Sequence, residues 1–422
     1  MPSRDATHSR PKSENDLSKH LLFFSHAYLP ENTSAVQRSA PLARYLADEG
    51  WTVHVVAASH AGFCKDELVW NVPGPRATAS PWRTAFWRVL HRVMPYNDRL
   101  PWIPHALLAA ERIAAAVPLR AVLSTSPPVA AHVAAYLFAR RHGLRWVADL
   151  QDPIRGNPSR KRSWARPYDL AIERAVFERA ARVVAVTDAV AEQWRRSWPK
   201  LAGKFRTIWM GFDPAEGIGP SPVPVRERRV MLHIGFLYEE RHPIALLESL
   251  ERLFARGDLD PKRFLLRLSG RADLPEKVLQ HPAGSALAAR GCLELDDRHV
   301  ARADALAATA AADWLLVLDV RNLFDQSYTV PGKLYDYVLT GRPILAVTDP
   351  GSPTQRILAG SGVGHACLFH GDSAEERDRK LAEFLRQPST ARAPSAWFTT
   401  EFDARKLAAQ MSALLDGTEA SA

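Results

Sequence analysis

Cysteine and methionine are scarce in this chain of 422 residues, at three and five. Cys64, Cys292 and Cys367 lie far apart, which excludes a disulfide framework or a zinc ribbon and fits a reducing compartment. The histidines are scattered, so no metal site is expected, and no cofactor. No apolar run reaches the length of about 18 residues that a membrane-spanning helix needs. The polar stretch 1–19 lacks the apolar centre of a signal peptide and reads as a disordered tail. No nucleic-acid-binding motif accompanies the net charge of +9, so no nucleic acid partner is expected.

What is present is organised in two halves. Residues 1–210 hold 30 Lys and Arg against 17 Asp and Glu, whereas residues 211–422 hold 25 against 29. The first half is therefore expected to face an anionic surface or substrate. Each half alternates apolar strands with helices. The first series opens with Leu21-Leu22-Phe23-Phe24-Ser25, a continuous apolar run suited to a parallel strand buried on both faces. A helix through Leu42, Tyr45 and Leu46 follows, opened or kinked by Pro41 and stopped by Gly50. Further strands are read at 52–57, 121–124, 146–149, 183–186 and 205–210, with helices at 130–141, 167–181 and 189–198. Residues 212–229, rich in Pro and Gly, read as a linker. The second series has strands at 230–234, 264–268, 314–318, 344–347 and 365–369, and helices at 243–254, 300–310, 333–339 and 374–385. This pattern predicts an α/β fold of two Rossmann-like, doubly wound parallel-sheet domains, 20–211 and 230–395, facing across a cleft. The amphipathic segment within 396–418 is placed to pack back on the first domain.

The most informative string is Val330-Pro331-Gly332-Lys333-Leu334-Tyr335-Asp336-Tyr337, followed by Gly341-Arg342-Pro343 and a buried strand. Gly332 permits close backbone approach to a ligand, and the helix that follows aims amides at the same place. Lys333 adds a cation there, and Asp336, one turn on, has the reach to accept hydrogen bonds from a ribose. The string resembles the nucleotide-sugar site of family 4 glycosyltransferases, which usually ends in Lys-x-x-Glu-Tyr and then Gly-x-Pro.

The resemblance extends along nearly the whole chain, about 20–415, and implies a GT-B fold with retaining, metal-independent transfer. The donor is then a nucleoside diphosphate sugar, UDP before others, and the acceptor a glycan or lipid-linked sugar of cell-surface polysaccharide synthesis. By that likeness Arg241, in Gly235-Phe236-Leu237-Tyr238-Glu239-Glu240-Arg241, matches the second of two cations gripping the diphosphate; Phe236 stands where the first usually is. Arginine suits this role because its planar fork binds phosphate oxygens bidentately. Gly235, Gly270, Val330, Gly332 and Asp336 are the implied donor-binding positions, with Lys333 and Arg241 the implied catalytic cations. Asp336 falls on the distal Glu of the family's paired glutamates, and Tyr328 on the proximal one.

On the first domain, Asp149-Leu150-Gln151-Asp152 resembles the Asp-x-Arg-Asp of surface-polysaccharide members. Asp152 is the expected group to orient or deprotonate an acceptor hydroxyl, while Asp149 reads as a stabilising cap. Arg38 either meets a ligand or braces the loop after the first strand. Ser126, in Thr125-Ser126-Pro127-Pro128, either faces the acceptor or caps the next helix. His26 and His132 are further polar groups near the cleft. The basic, aromatic segment 81–94, with Trp82, Phe86 and Val89 along one side, suits either packing on its own domain or lying on an anionic membrane. That gives a cytoplasmic protein, peripheral at the inner membrane face. Two rivals share the fold: a silent nucleotide-sugar-binding relative, allowed by Tyr328 and Phe236, and a nucleotide-sugar epimerase.

Overall fold

A computed structural model describes residues 19–31, 33–59, 64–66, 68–73, 99–157, 160, 162–222, 226–237, 241, 243–270, 275–298, 300–320 and 328–418. The first lobe is built on β1 (Lys19–Ser25), β2 (Trp51–Ser59), β3 (Cys64–Asp66), β4 (Val69–Pro73), β5 (Leu119–Ser126), β6 (Arg145–Leu150), β7 (Arg182–Ala185) and β8 (Phe205–Thr207). Their order is β3-β4-β2-β1-β5-β6-β7-β8, parallel except for the short edge strand β3. Leu21, Leu22, Phe23 and Phe24 of β1 have no exposed surface, because this central strand is covered on both faces. The second lobe holds β9 (Arg229–Ile234), β10 (Phe264–Ser269), β11 (Leu293–Asp296), β12 (Trp314–Leu318), β13 (Ile344–Thr348) and β14 (His365–Phe369), all parallel in the order β11-β10-β9-β12-β13-β14. The two doubly wound parallel sheets expected from the alternation of strands and helices are both present.

Local differences have physical causes. Pro41 does not open its helix, which runs Ser34–Asp48 with the proline inside; its missing N–H cannot bond the carbonyl four residues back. The strand read at 205–210 ends at Thr207, because Trp209 and Met210 already pack against the second lobe. β3, β4 and β11 were not expected, and neither was the helix Ile103–Ala116. The segment 81–94 and the pair Glu239–Glu240 lie outside the described residues.

The chain crosses between lobes twice, side by side. Phe212 N–H donates to Phe402 O at 2.9 Å, and Ala404 N–H donates to Phe212 O at 3.0 Å. Gly211 is required here: its φ is +71°, and a Cβ would lie 2.4 Å from Leu407 Cδ1 and 2.6 Å from Phe402 O. After the second crossing, helix Ala404–Asp416 lies on the first lobe, burying Leu407, Met411, Leu414 and Leu415 against Leu21, Phe23, Leu46 and Trp51. Trp51 Nε1 donates to Ser412 Oγ at 2.9 Å, which fixes the register of that contact.

Candidate functional site

The carboxyl ends of β9, β10, β12 and β13 open toward the first lobe, where ligands of such sheets collect. β9 ends in His233 and Ile234, and Gly235 follows it. Gly235 has φ +128° and Gly270, after β10, has φ +116°. A Cβ on Gly270 would lie 2.9 Å from Gly235 N, so the two loops pack backbone against backbone. Their amides are engaged within the protein, Gly235 N–H on Ser269 O and Gly270 N–H on Asp296 O, both at 2.8 Å. The glycines therefore contribute space, not donors.

Lys333 fills that space. It begins the seven-residue helix Lys333–Leu339, and a Cβ on Gly235 would sit 2.4 Å from its Nζ. Nζ lies 3.1 Å from Nε2 of His233. His233 has no exposed surface, and its Nδ1 lies 2.9 Å from Leu316 O on the neighbouring strand. Among the described residues, no carboxylate pairs with Lys333. Burial first, and the Arg241 charge second, hold the Lys333 amine well below the ordinary lysine range. Arg241 is close enough that its charge also acts on His233, on Asp319 after β12 and on Asp152 of the opposite lobe. Two cations of the second lobe thus converge on a place that also faces Asp152.

Asp152 sits in the bend after β6. Water reaches its side chain at the cleft, yet protein surrounds it closely enough that desolvation raises its pKa, opposed by Arg241. Its neighbour Asp149 is different. Asp149 is fully buried and accepts from Arg38 Nε at 2.8 Å, Arg38 Nη2 at 2.6 Å and Thr125 Oγ1 at 2.8 Å. Arg38, 4% exposed, also donates to the carbonyls of Trp209 and Ile208 at 2.6 and 3.1 Å. This bidentate pair ties the helix Ser34–Asp48 to β6 and to the first crossing. Arg38 is thus engaged as a brace, one of the two roles its sequence context allows, rather than presented to the acceptor side. Ser126 is likewise buried, at 4% exposure, and it caps nothing: the N-cap of helix Ala130–His142 is Val129, without a side-chain bond.

In the second lobe, Asp336 is 6% exposed and bound bidentately by Arg302, at 2.6 and 2.9 Å, while Arg302 also pairs with Glu216 of the linker. Its carboxylate is already committed to a guanidinium. Val330 is half-buried, and Gly332 faces the first lobe, its missing Cβ 3.6 Å from Gln37 Oε1 and 3.7 Å from Met210 Cε. Two of the first-turn amides expected to meet an anion are occupied, Leu334 N–H on Pro331 O and Tyr335 N–H on Gly332 O. Tyr328 packs against the first lobe's core, and its carbonyl accepts from Thr187 Oγ1 at 2.7 Å. Where the family usually has a glutamate, this chain has an interlobe contact.

Residues 39–216 match the family model described as Glycosyltransferase Family 4. This segment, which makes up most of the first lobe, is similar to that family. Solved structures agree on the fold. Sucrose-phosphate synthase from Thermosynechococcus elongatus superposes with TM-score 0.63 at 14% identity, covering 94% of this chain and 98% of that one. HepE of Anabaena, in complex with UDP and glucose, gives 0.61 at 13% identity over 94% and 100%. The lipopolysaccharide outer core galactosyltransferase WaaB gives 0.58 at 11% over 95% and 100%. No curated protein sequence is a significant match. The two-lobed architecture is thus GT-B.

Sequence reasoning missed His233 and Arg302. His233 sits in an apolar strand and reads as core. The one signal was a titratable residue two positions before the glycine that ends the lobe's first strand. Arg302 begins a helix otherwise rich in alanine, and its partners are 34 and 86 residues away.

Proposed function

We propose that this chain is a glycosyltransferase that moves a sugar from a UDP-sugar to a glycan or lipid-linked acceptor of cell-surface polysaccharide synthesis, with retention at the anomeric carbon and without a metal. The observation that carries the donor assignment is the convergence of Lys333 and Arg241 beside Gly235. Two cations that share no carboxylate at Lys333 are suited to a dianionic pyrophosphate. HepE, of the same fold, is seen with UDP and glucose. As the sugar leaves, negative charge grows on the diphosphate, and the two cations neutralise it in a partly desolvated place. Asp152 approaches from the other lobe, where an acceptor hydroxyl enters, and orients it or takes its proton. The acceptor attacks from the leaving-group side, so no protein nucleophile is invoked. Gly270 and Val330 flank the nucleoside. Asp336 acts through Arg302 rather than directly on the ribose. The basic first half is suited to the anionic inner face of a cytoplasmic membrane, which supports a peripheral location there.

Incubation with a panel of UDP-sugars and a lipid extract tests this reading. Released UDP with sugar transferred to the extract is expected. An isomerised free sugar points instead to an epimerase, and binding without turnover to a silent relative. Lys333→Ala is expected to weaken donor binding by about tenfold or more, the worth of a charged hydrogen bond.

A further inference from the structure

The nitrogen of Lys333 is held by an unusual partner. Leu316 O can only accept, so His233 Nδ1 carries the imidazole proton and Nε2 is left as an acceptor. Nε2 meets Lys333 Nζ at 3.1 Å. A neutral imidazole fixes the amine without neutralising it. Gly235 closes over Nζ, and among the described residues the Arg241 charge acts on it. Among the described residues, three carboxylates lie on the elements around the pair. Asp319, after β12, accepts from Thr348 Oγ1 at 2.6 Å; Asp349 follows β13; Asp152 faces Arg241 across the cleft.

We infer that Lys333 takes up a proton from solvent when the donor's diphosphate seats beside it, and that His233 is the positioning residue that makes this uptake part of donor binding. The inference rests on the donor assignment proposed above. In the empty cleft, enclosure and the Arg241 charge oppose a second cation, so the amine gives one N–H to Nε2 and keeps its lone pair. His233 does not take the proton in its place, because burial and then the charges of Lys333 and Arg241 hold its imidazole neutral. A pyrophosphate diester brings two negative charges. The lone pair then binds a proton from the medium, one N–H stays on Nε2, and the other two turn to phosphate oxygens. Lys333 and Arg241 together balance the two charges, and the proton returns to solvent when the nucleotide leaves.

Calorimetric titration of the full chain with UDP-glucose, in buffers of different ionisation enthalpy at pH 7 to 8, tests this. Neither the diphosphate nor the uracil of UDP-glucose titrates appreciably there, so exchanged protons belong to the protein. The expected result is net uptake approaching one proton, with affinity falling up to about tenfold per pH unit where uptake is complete. Lys333→Arg, which cannot deprotonate, is expected to bind without uptake. His233→Leu removes the anchor that holds the amine beside Gly235, where burial and Arg241 lower its pKa, so the amine turns to solvent and uptake falls; His233→Gln, which restores an acceptor, brings it back. Loss of uptake in the leucine variant, with a cooperative melt retained, separates positioning from a merely structural part. UDP-glucose binding with equal heats in all buffers overturns the inference and leaves the donor assignment standing. Failure of both UDP-glucose and UDP to bind overturns the donor assignment as well.

Discussion

Gly235→Ala offers the sharpest test of the arrangement around Lys333. Two penalties are built into this position. Its φ of +128° is a conformation that L side chains rarely adopt, and holding alanine there costs about 1–3 kcal/mol. A methyl group would also lie 2.4 Å from Lys333 Nζ and 3.1 Å from Cε. To reach ordinary contact at about 3.5–4 Å, the amine must retreat by about 1 Å or more, which breaks its bond to His233. If that amine holds the diphosphate, a charged hydrogen bond worth about 1.5–3 kcal/mol is lost, roughly a tenfold to hundredfold fall in donor affinity. Gly50→Ala is the control. It too has positive φ, +82°, but nothing lies within 4 Å of the added methyl, and it is at the far end of the first sheet. Urea unfolding should show both variants destabilised, Gly235→Ala the more because of its second penalty, whereas calorimetric titration with UDP-glucose should show only Gly235→Ala weakened. Wild-type affinity in Gly235→Ala would refute the placement of Lys333 at the donor.

Two further expectations concern buried charge. Burial raises the Asp319 carboxyl from 3.8 to about 6, so its folded state binds the proton more tightly than its unfolded state. The stability this lends is complete below pH 3.8 and lost as pH rises through 6, a span worth about 3 kcal/mol. Asp319→Asn should therefore gain on the wild type between pH 4 and 7 in thermal melts, and parallel curves would exclude the effect. Arg38→Met strands the fully buried Asp149 carboxylate and should cost about 3–5 kcal/mol in urea titrations; a loss under about 1 kcal/mol would mean that the pair does not brace the crossing.

Much of the architecture is legible in the chain because parallel strands covered on both faces leave continuous apolar runs. Trp314–Leu318 and His365–Phe369 occupy the expected residues, and helix Lys333–Leu339 lies between Gly332 and Gly341 as read. What escaped has no such trace. Leu293–Asp296 is half polar because it is an edge strand, and β3 spans three residues. At the site, the cations could be read because a glycine beside a lysine or arginine after a strand is a local pattern. The fates of Arg38, Asp336 and His233 could not, since their partners lie 111, 34 and 100 residues away. Each is decided by what folding brings alongside, and an arginine that grips phosphate looks the same in sequence as one that grips aspartate.

The paired crossings at Phe212 and Phe402 make the second lobe an insertion within the first. During synthesis, one side of the amino-terminal sheet stays only partly covered, by helix Ser34–Asp48, while some two hundred further residues emerge, until Ala404–Asp416 arrives to complete the shielding of Leu21, Phe23 and Trp51. The carboxy-terminal lobe can mature first, although it is translated later. A ribosome stalled before residue 404 would carry a nascent chain with an exposed sticky plane, and chaperones would be drawn to the half of the protein that was made earliest.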